Sequence, residues 1–214
     1  MNTMLRVNEI FLSIQGEGIS AGYPTIFVRL TGCNLRCSYC DTTHAYNEGS
    51  DIAVEKVLEE IESLGYKRVC ITGGEPLLQE KGLLKLLEGL GDYEVSIETN
   101  GSVDISAFPL RENHRFTMDI KTPSSEESDE NCLENLKLLR DQDELKAVIG
   151  SRKDYLWALG IIDSHYVKGH ITFSPIFGMI EPEEIINWIL EDKRDIRFQI
   201  QIHKFIWNPD RRGV

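Results

Sequence analysis

Residues 25–42 read TIFVRLTGCNLRCSYCDT. The first six alternate and are rich in β-branched side chains, the pattern of a strand. The strand gives way to a loop with Gly32 at its start and Cys33, Cys37 and Cys40 in Cys-x3-Cys-x2-Cys spacing. A strand running directly into a loop of ligand-forming side chains is the layout of α/β sheets, whose chemistry gathers at the carboxyl ends of the strands.

Working outward from this segment, the periodicity predicts further strands over 9–14, 68–72, 94–98, 116–120, 144–149, 170–173 and 197–202. Amphipathic helices are expected from an N-cap at Ser50 to Gly65, and over 77–90, 131–139, 153–162 and 182–190, the last with Pro182 at its first position. Strands alternating with helices define an α/β fold: a mostly parallel sheet with right-handed crossovers, in a single domain over 1–214. Five polar or Gly/Pro-rich loops then converge on one rim. They are the cysteine loop, GGEP from Gly73, TNG from Thr99, KTPSS from Lys121 and SPIFG from Ser174. The acidic run Glu126 to Glu130 reads as a solvated loop.

The chain has 214 residues, with 23 Lys and Arg against 35 Asp and Glu, a formal charge of −12. That balance disfavours nucleic acid and anionic lipid as partners, and any anionic ligand must meet locally placed cations. No apolar run approaches the roughly 18 residues of a membrane span, and residues 1–13 lack the pattern of a secretory leader. The expected setting is the cytoplasm. Five cysteines, three of them clustered, are not a disulfide framework; clustered thiols in a reducing compartment are metal ligands or redox groups. Cys70, in an apolar strand, and Cys132, in a predicted helix, read as small buried packing groups.

Three thiolates on a tight loop can hold three irons of a cubane and leave the fourth iron open. The alternative is zinc: His44, four residues after Cys40, would complete a Cys3His tetrahedral site in a binding module. Residue chemistry leaves both open, with the acidic balance weighing against a nucleic-acid-binding zinc module.

The cysteine spacing, with Tyr39 before the last cysteine, and Gly73-Gly74-Glu75-Pro76 after a strand resemble the radical S-adenosylmethionine (SAM) superfamily. Within it, Ser13-Ile14-Gln15-Gly16-Glu17-Gly18, Phe27 to Leu30 running into Thr31-Gly32-Cys33, Cys40-Asp41-Thr42, and His203-Lys204 are similar to the 7-carboxy-7-deazaguanine synthase family. The resemblance implies a partial, truncated TIM-type β/α barrel. It also implies a lyase of queuosine and 7-deazapurine biosynthesis that converts 6-carboxy-5,6,7,8-tetrahydropterin to 7-carboxy-7-deazaguanine with release of ammonia. The cofactors would be a [4Fe-4S] cluster on Cys33, Cys37 and Cys40, SAM, whose cleavage gives a 5′-deoxyadenosyl radical, and Mg2+ at Thr42. The resemblance further implies a homodimer and a flavodoxin- or ferredoxin-like electron donor.

Carried over residue by residue, the pterin would meet Ile14, Gln15, Gly16, Arg29, Thr72 and the carboxylate of Val214. SAM would meet Tyr39, Cys40, Asp41, Gly74 and Ser124. Arg29 suits its role on chemical grounds too, since a planar guanidinium pairs a carboxylate with two hydrogen bonds. Glu17, Glu98, Asn100, Asp119, Lys121, Lys146, His203 and Lys204, near strand ends, are further candidates without assigned roles. A glycyl-radical activase shares the cysteine loop, but would need neither the Gln15 to Gly18 segment nor Asp41-Thr42.

Overall fold

Val28, Leu30, Ile71, Ile97 and Phe173, the apolar positions of alternating strands, are all fully buried in one core. The computed structural model describes residues 3–165 and 167–214. In chain order the elements are β1 (Met4–Ile14), β2 (Pro24–Leu30), β3 (Ser50–Ala53), α1 (Val54–Ser63), β4 (Arg68–Gly73), α2 (Glu80–Gly89) and β5 (Glu94–Thr99). Next come β6 (His114–Ile120), β7 (Glu144–Ile149), α3 (Arg152–Ser164), β8 (His170–Pro175), α4 (Pro182–Glu191), β9 (Arg197–Phe198) and α5 (His203–Ile206).

The sheet order is β3-β1-β2-β4-β5-β6-β7-β8-β9. From β2 to β9 every pairing is parallel, while β1 is antiparallel to both β2 and β3. The sheet is therefore open, a partial barrel. Helices cover one face with Val57 and Ile61 of α1, Leu83 and Leu86 of α2, Tyr155 and Ala158 of α3, and Ile185 and Ile189 of α4. Each large aliphatic group among them contributes about 1.5–3 kcal/mol by leaving water. Tyr155 adds an edge-to-face contact with Phe173, centroids 5.7 Å apart.

The period of two puts polar side chains on the opposite, concave face. Thr72 follows Ile71, Glu98 follows Ile97, and Thr117 and Asp119 flank Met118, while Glu144 and Lys146 flank Leu145. Residues 15–20, between β1 and β2, lie across this face. The Ile19 N–H donates to Glu144 on β7 (3.2 Å), and Gly18 exchanges two bonds with the Gln199 side chain just beyond β9. The Ile202 N–H also donates to the Gly16 carbonyl at 3.1 Å. This loop bridges the two ends of the open sheet.

Four expectations change. Ser50 does not cap a helix: Ser50–Ala53 pairs with Met4–Val7 as β3, and the helix starts at Val54, so sheet pairing overrides the capping preference. Residues 131–139 are not an α-helix. Buried Asn135 bonds to the Val103 carbonyl (2.8 Å) and the Ile105 N–H (3.1 Å), and this draws Leu133–Leu138 into 3-10 turns. Cys132 is accordingly half-buried rather than a core group. The last strand is Arg197–Phe198 only: the Gln199 N–H still donates to the Phe173 carbonyl (3.0 Å), its side chain is taken up by Gly18, and the chain turns at Ile202. The helix expected at 77–90 is a 3-10 turn, Pro76–Gln79, followed by α2.

Candidate active site

The carboxyl ends of β2, β4, β5, β6, β7 and β8 open on a cavity of about 960 Å³. One wall is the cysteine loop, with Cys33, Cys37 and Cys40 all half-buried. Neighbouring backbone fixes that loop. The Gly32 N–H donates to the Ala45 carbonyl (2.8 Å), Ser38 N–H to the Ser125 carbonyl (3.0 Å) and Ser38 Oγ to the Ser124 carbonyl (2.6 Å). Glu127 accepts from the Arg36 N–H at 2.5 Å, so this part of the acidic run anchors the cysteine loop rather than standing free in solvent.

The zinc geometry is not formed. His44 Nε2 lies 3.7 Å from Glu9 Oε1, and among the described residues no three His, Cys, Asp or Glu side chains are grouped as a metal-ion site. A cubane takes one thiolate per iron and does not require its ligands to meet at one point.

Gly73 and Gly74 run against the start of the cysteine loop. A Cβ on Gly73, at φ +139°, would sit 2.1 Å from the Leu30 carbonyl oxygen, and one on Gly74 2.1 Å from that of Gly32. Only glycine permits this approach. Behind them Glu75 is fully buried and accepts from the Leu77 N–H (2.9 Å), Thr99 Oγ1 (2.9 Å) and the Asn100 N–H (2.6 Å). Burial pushes its carboxyl up to about 7 against these donors.

The other half of the cavity is a set of paired charges. Arg29 Nε donates to Glu9 at 2.7 Å, its cross-strand partner in the β1–β2 pairing. Glu98 accepts from Gln15 Nε2 (3.1 Å) and Thr72 Oγ1 (2.8 Å). Lys146 lies between Glu17 (3.0 Å) and Asp119 (3.3 Å), and Asp119 also meets Lys121 at 2.6 Å. Burial opposes ionisation of Glu17 and Asp119, but the neighbouring ammonium groups prevail and hold both carboxyls below their ordinary values. The Lys146 ammonium is held charged well past its usual range, since the carboxylates outweigh its burial. Burial pushes His203 down, so it is neutral at pH 7. Lys204 pairs with Asp41 (2.7 Å), which accepts from the Thr42 hydroxyl at 2.9 Å. Six side-chain carboxylates and six Lys or Arg side chains line the cavity. Its formal side-chain charge is therefore zero within a chain of −12.

Of the expected site residues, Ile14, Gln15, Gly16, Arg29, Cys33, Cys37, Tyr39, Cys40, Asp41, Thr42, Thr72, Gly74 and Val214 line this one cavity. Ser124 is outside the lining: its N–H donates to Asp154 at 2.8 Å and its carbonyl supports Ser38. All eight further candidates line the cavity as well. Sequence reasoning missed Glu9, which alternation on β1 could have placed opposite Arg29, and Gln201, which donates to Glu17 at 2.6 Å from a loop without a motif.

The family model described as the radical SAM superfamily matches residues 27–192. A 7-carboxy-7-deazaguanine synthase of Chlorobaculum tepidum is 42% identical over 217 residues, covering 98% of this chain and 97% of that protein. The chain belongs to the 7-carboxy-7-deazaguanine synthase family. A second 7-carboxy-7-deazaguanine synthase, of Clostridium acetobutylicum, is 42% identical over 219 residues, with 98% of this chain and 99% of that one covered. The crystal structure of QueE from Escherichia coli matches the fold with a TM-score of 0.77 at 24% identity, covering 92% of this chain and 94% of that chain.

As a 7-carboxy-7-deazaguanine synthase family member the chain is a radical SAM lyase, and the superfamily brings a [4Fe-4S] cluster and SAM. Membership sets aside the zinc module and the activase. The thiols suit the cluster. Burial pushes Cys33 and Cys37 up, so as free groups they are neutral, whereas iron would compensate their thiolate charge. Cys33 Sγ also accepts from the Leu35 N–H (3.4 Å) and Asn100 Nδ2 (3.8 Å), the donors a ligating thiolate requires.

Proposed function

We propose that this chain converts 6-carboxy-5,6,7,8-tetrahydropterin to 7-carboxy-7-deazaguanine with release of ammonia, in the cytoplasm, for queuosine or a related 7-deazapurine. Beyond the family relationship, the observation that carries the reading is the Arg29–Glu9 pair. Glu9 takes Nε and leaves the two-nitrogen edge of the guanidinium for a planar carboxylate. A guanidinium edge so presented, in a cavity whose side-chain charges balance only when Arg29 is counted, suits the carboxylate of a planar heterocycle.

The remaining roles rest on the side chains. Cys33, Cys37 and Cys40 would hold the cluster; Tyr39, Cys40, Asp41 and Gly74 would contact SAM, with Ser124 acting from behind by positioning Ser38. When bound, SAM on the open iron supplies hydrogen-atom abstraction. Ile14, Gln15, Gly16, Thr72 and Val214 would enclose the pterin ring. Glu17, ionised beside Lys146, would accept from pterin N–H groups, and neutral His203 packs against Gly16 on the same side. The Thr42 hydroxyl spends its proton on Asp41, which leaves its oxygen lone pairs for Mg2+, a cation that keeps water and few protein ligands. The reading also entails a flavodoxin- or ferredoxin-like electron donor and a homodimer.

Equilibrium binding to the anaerobic holo-protein tests the substrate assignment. The carboxypterin should bind more tightly with Mg2+, and a tetrahydropterin lacking the carboxylate at least about tenfold more weakly, the loss of a charge-assisted hydrogen bond. Binding indifferent to both would contradict the role of Arg29 and Thr42.

A further inference from the structure

We propose that Asn100 tunes the cluster: its side-chain N–H donates to Cys33 Sγ and raises the reduction potential at which the cluster accepts its electron. The proposal rests on the reading of Cys33 as a cluster ligand.

Asn100 comes directly after β5 and is 7% exposed, so little water competes for its amide. Nδ2 lies 3.8 Å from Cys33 Sγ and 3.1 Å from Asn34 Oδ1. The orientation of the amide is decided by chemistry. Its Oδ1 receives the Ser102 backbone N–H at 2.9 Å, and a backbone N–H can only donate. The Ser102 hydroxyl donates to the same oxygen at 2.7 Å. The amino group therefore faces the sulfur.

The backbone of Asn100 is equally constrained. Its N–H is held at 2.6 Å by Glu75 Oε2, and Glu75 is itself fixed by Leu77 and Thr99. The GGEP segment thus reaches the cysteine loop twice: directly, where the Glu75 N–H donates to the Gly32 carbonyl at 2.7 Å, and through Asn100.

Reduction adds one electron to the cluster and its thiolates; no bond forms or breaks, and the electron comes from a low-potential one-electron carrier. A donor aimed at a ligating sulfur stabilises the more negative state more than the less negative one, so it raises the potential. That help matters in a chain of −12, whose field opposes added negative charge.

The test is a dithionite-poised redox titration of the anaerobic holo-protein without SAM, followed by the electron paramagnetic resonance signal of the reduced cluster. Asn100→Leu removes the donor, and Asn100→Asp removes it while keeping volume and an acceptor for Ser102. Both should retain about four irons per chain. At fixed poise the reduced-to-oxidised ratio should fall about tenfold in Asn100→Leu, equal to about 59 mV for one electron, and further in Asn100→Asp, whose added charge acts in the same direction; if the leucine variant does not fold, the smaller, neutral Asn100→Ala, which also lacks the donor, decides the matter by the same tenfold fall. Variants with full iron that titrate with the parent protein would overturn the proposal, as would loss of iron in Asn100→Asp. Cys33→Ala separates the two readings: full iron in that variant would instead refute Cys33 as a ligand.

Discussion

The Gln15 amide and the Glu98 carboxylate, 83 positions apart in sequence, meet at 3.1 Å, and the other Glu98 oxygen takes the Thr72 hydroxyl at 2.8 Å. One carboxylate on β5 thereby joins the loop that crosses the open barrel to the end of β4. Replacing it by Glu98→Gln leaves the volume but removes the charge and one acceptor. Hydrogen bonds to a charged group are worth about 1.5–3 kcal/mol, so kcat/KM for the pterin should fall roughly tenfold to a hundredfold with iron content unchanged. Steady-state kinetics on the reconstituted variant decide this; an unaltered kcat/KM removes the bridging role of Glu98.

Arg29 is the residue on which recognition of the carboxylate depends. Arg29→Lys keeps the charge and loses the two-nitrogen edge, while Arg29→Ala loses both. Pterin affinity should drop about tenfold in the first and about a hundredfold in the second, measured by anaerobic calorimetry, and SAM binding should not change. Equal affinity in all three proteins would mean that the Glu9 contact consumes this guanidinium.

Gly74 admits no side chain, since a Cβ there would lie 2.1 Å from a backbone oxygen of the cysteine loop. Gly74→Ala should force that loop outward, cost about 1–3 kcal/mol as other overpacking substitutions do, and lower iron incorporation. Iron analysis and denaturant unfolding report both effects; full iron with parental stability would show that the loop yields freely.

Half-buried Lys146 pairs with both Glu17 and Asp119, and these two acidic residues contribute to the pH dependence of stability. Their carboxyls are depressed in the folded chain below 4.5 and 3.8. Their stabilisation is therefore complete above those unfolded values and is lost as pH falls through the folded ones. Lys146→Met leaves two half-buried carboxylates short of a cation, a loss of about 1.5–3 kcal/mol at pH 7, tempered by Lys121 beside Asp119. The difference from the parent protein should narrow as pH falls below about 4.5, where the carboxylates protonate. Urea unfolding at pH 7 and pH 4 measures it, and a gap that widens in acid would reverse the argument.

Much of the fold was legible because the strands obey a period of two and the helices bury one stripe, as in Ile71 beside Thr72 and Val57 with Ile61. The loops at strand ends were legible because Cys33, Gly74 and Thr42 sit in local motifs. Local signals misled where a partner far away in sequence prevailed: Ser50 pairs with Val7 instead of capping a helix, and Asn135 bonds backbone some thirty residues away instead of facing water. Ser124 stands one contact behind the cavity wall because its N–H is committed to Asp154. Glu9 and Gln201 carry no motif, and only the assembled sheet shows what they hold.

The measurement that tests the central claim most directly is turnover. Anaerobic holo-protein with SAM, dithionite, Mg2+ and 6-carboxy-5,6,7,8-tetrahydropterin should form 7-carboxy-7-deazaguanine and one ammonia per product, and Cys37→Ala, without its cluster, should form none. A colourless protein holding one zinc, or SAM cleavage that proceeds at the same rate with and without the pterin and gives no deazaguanine, would contradict it.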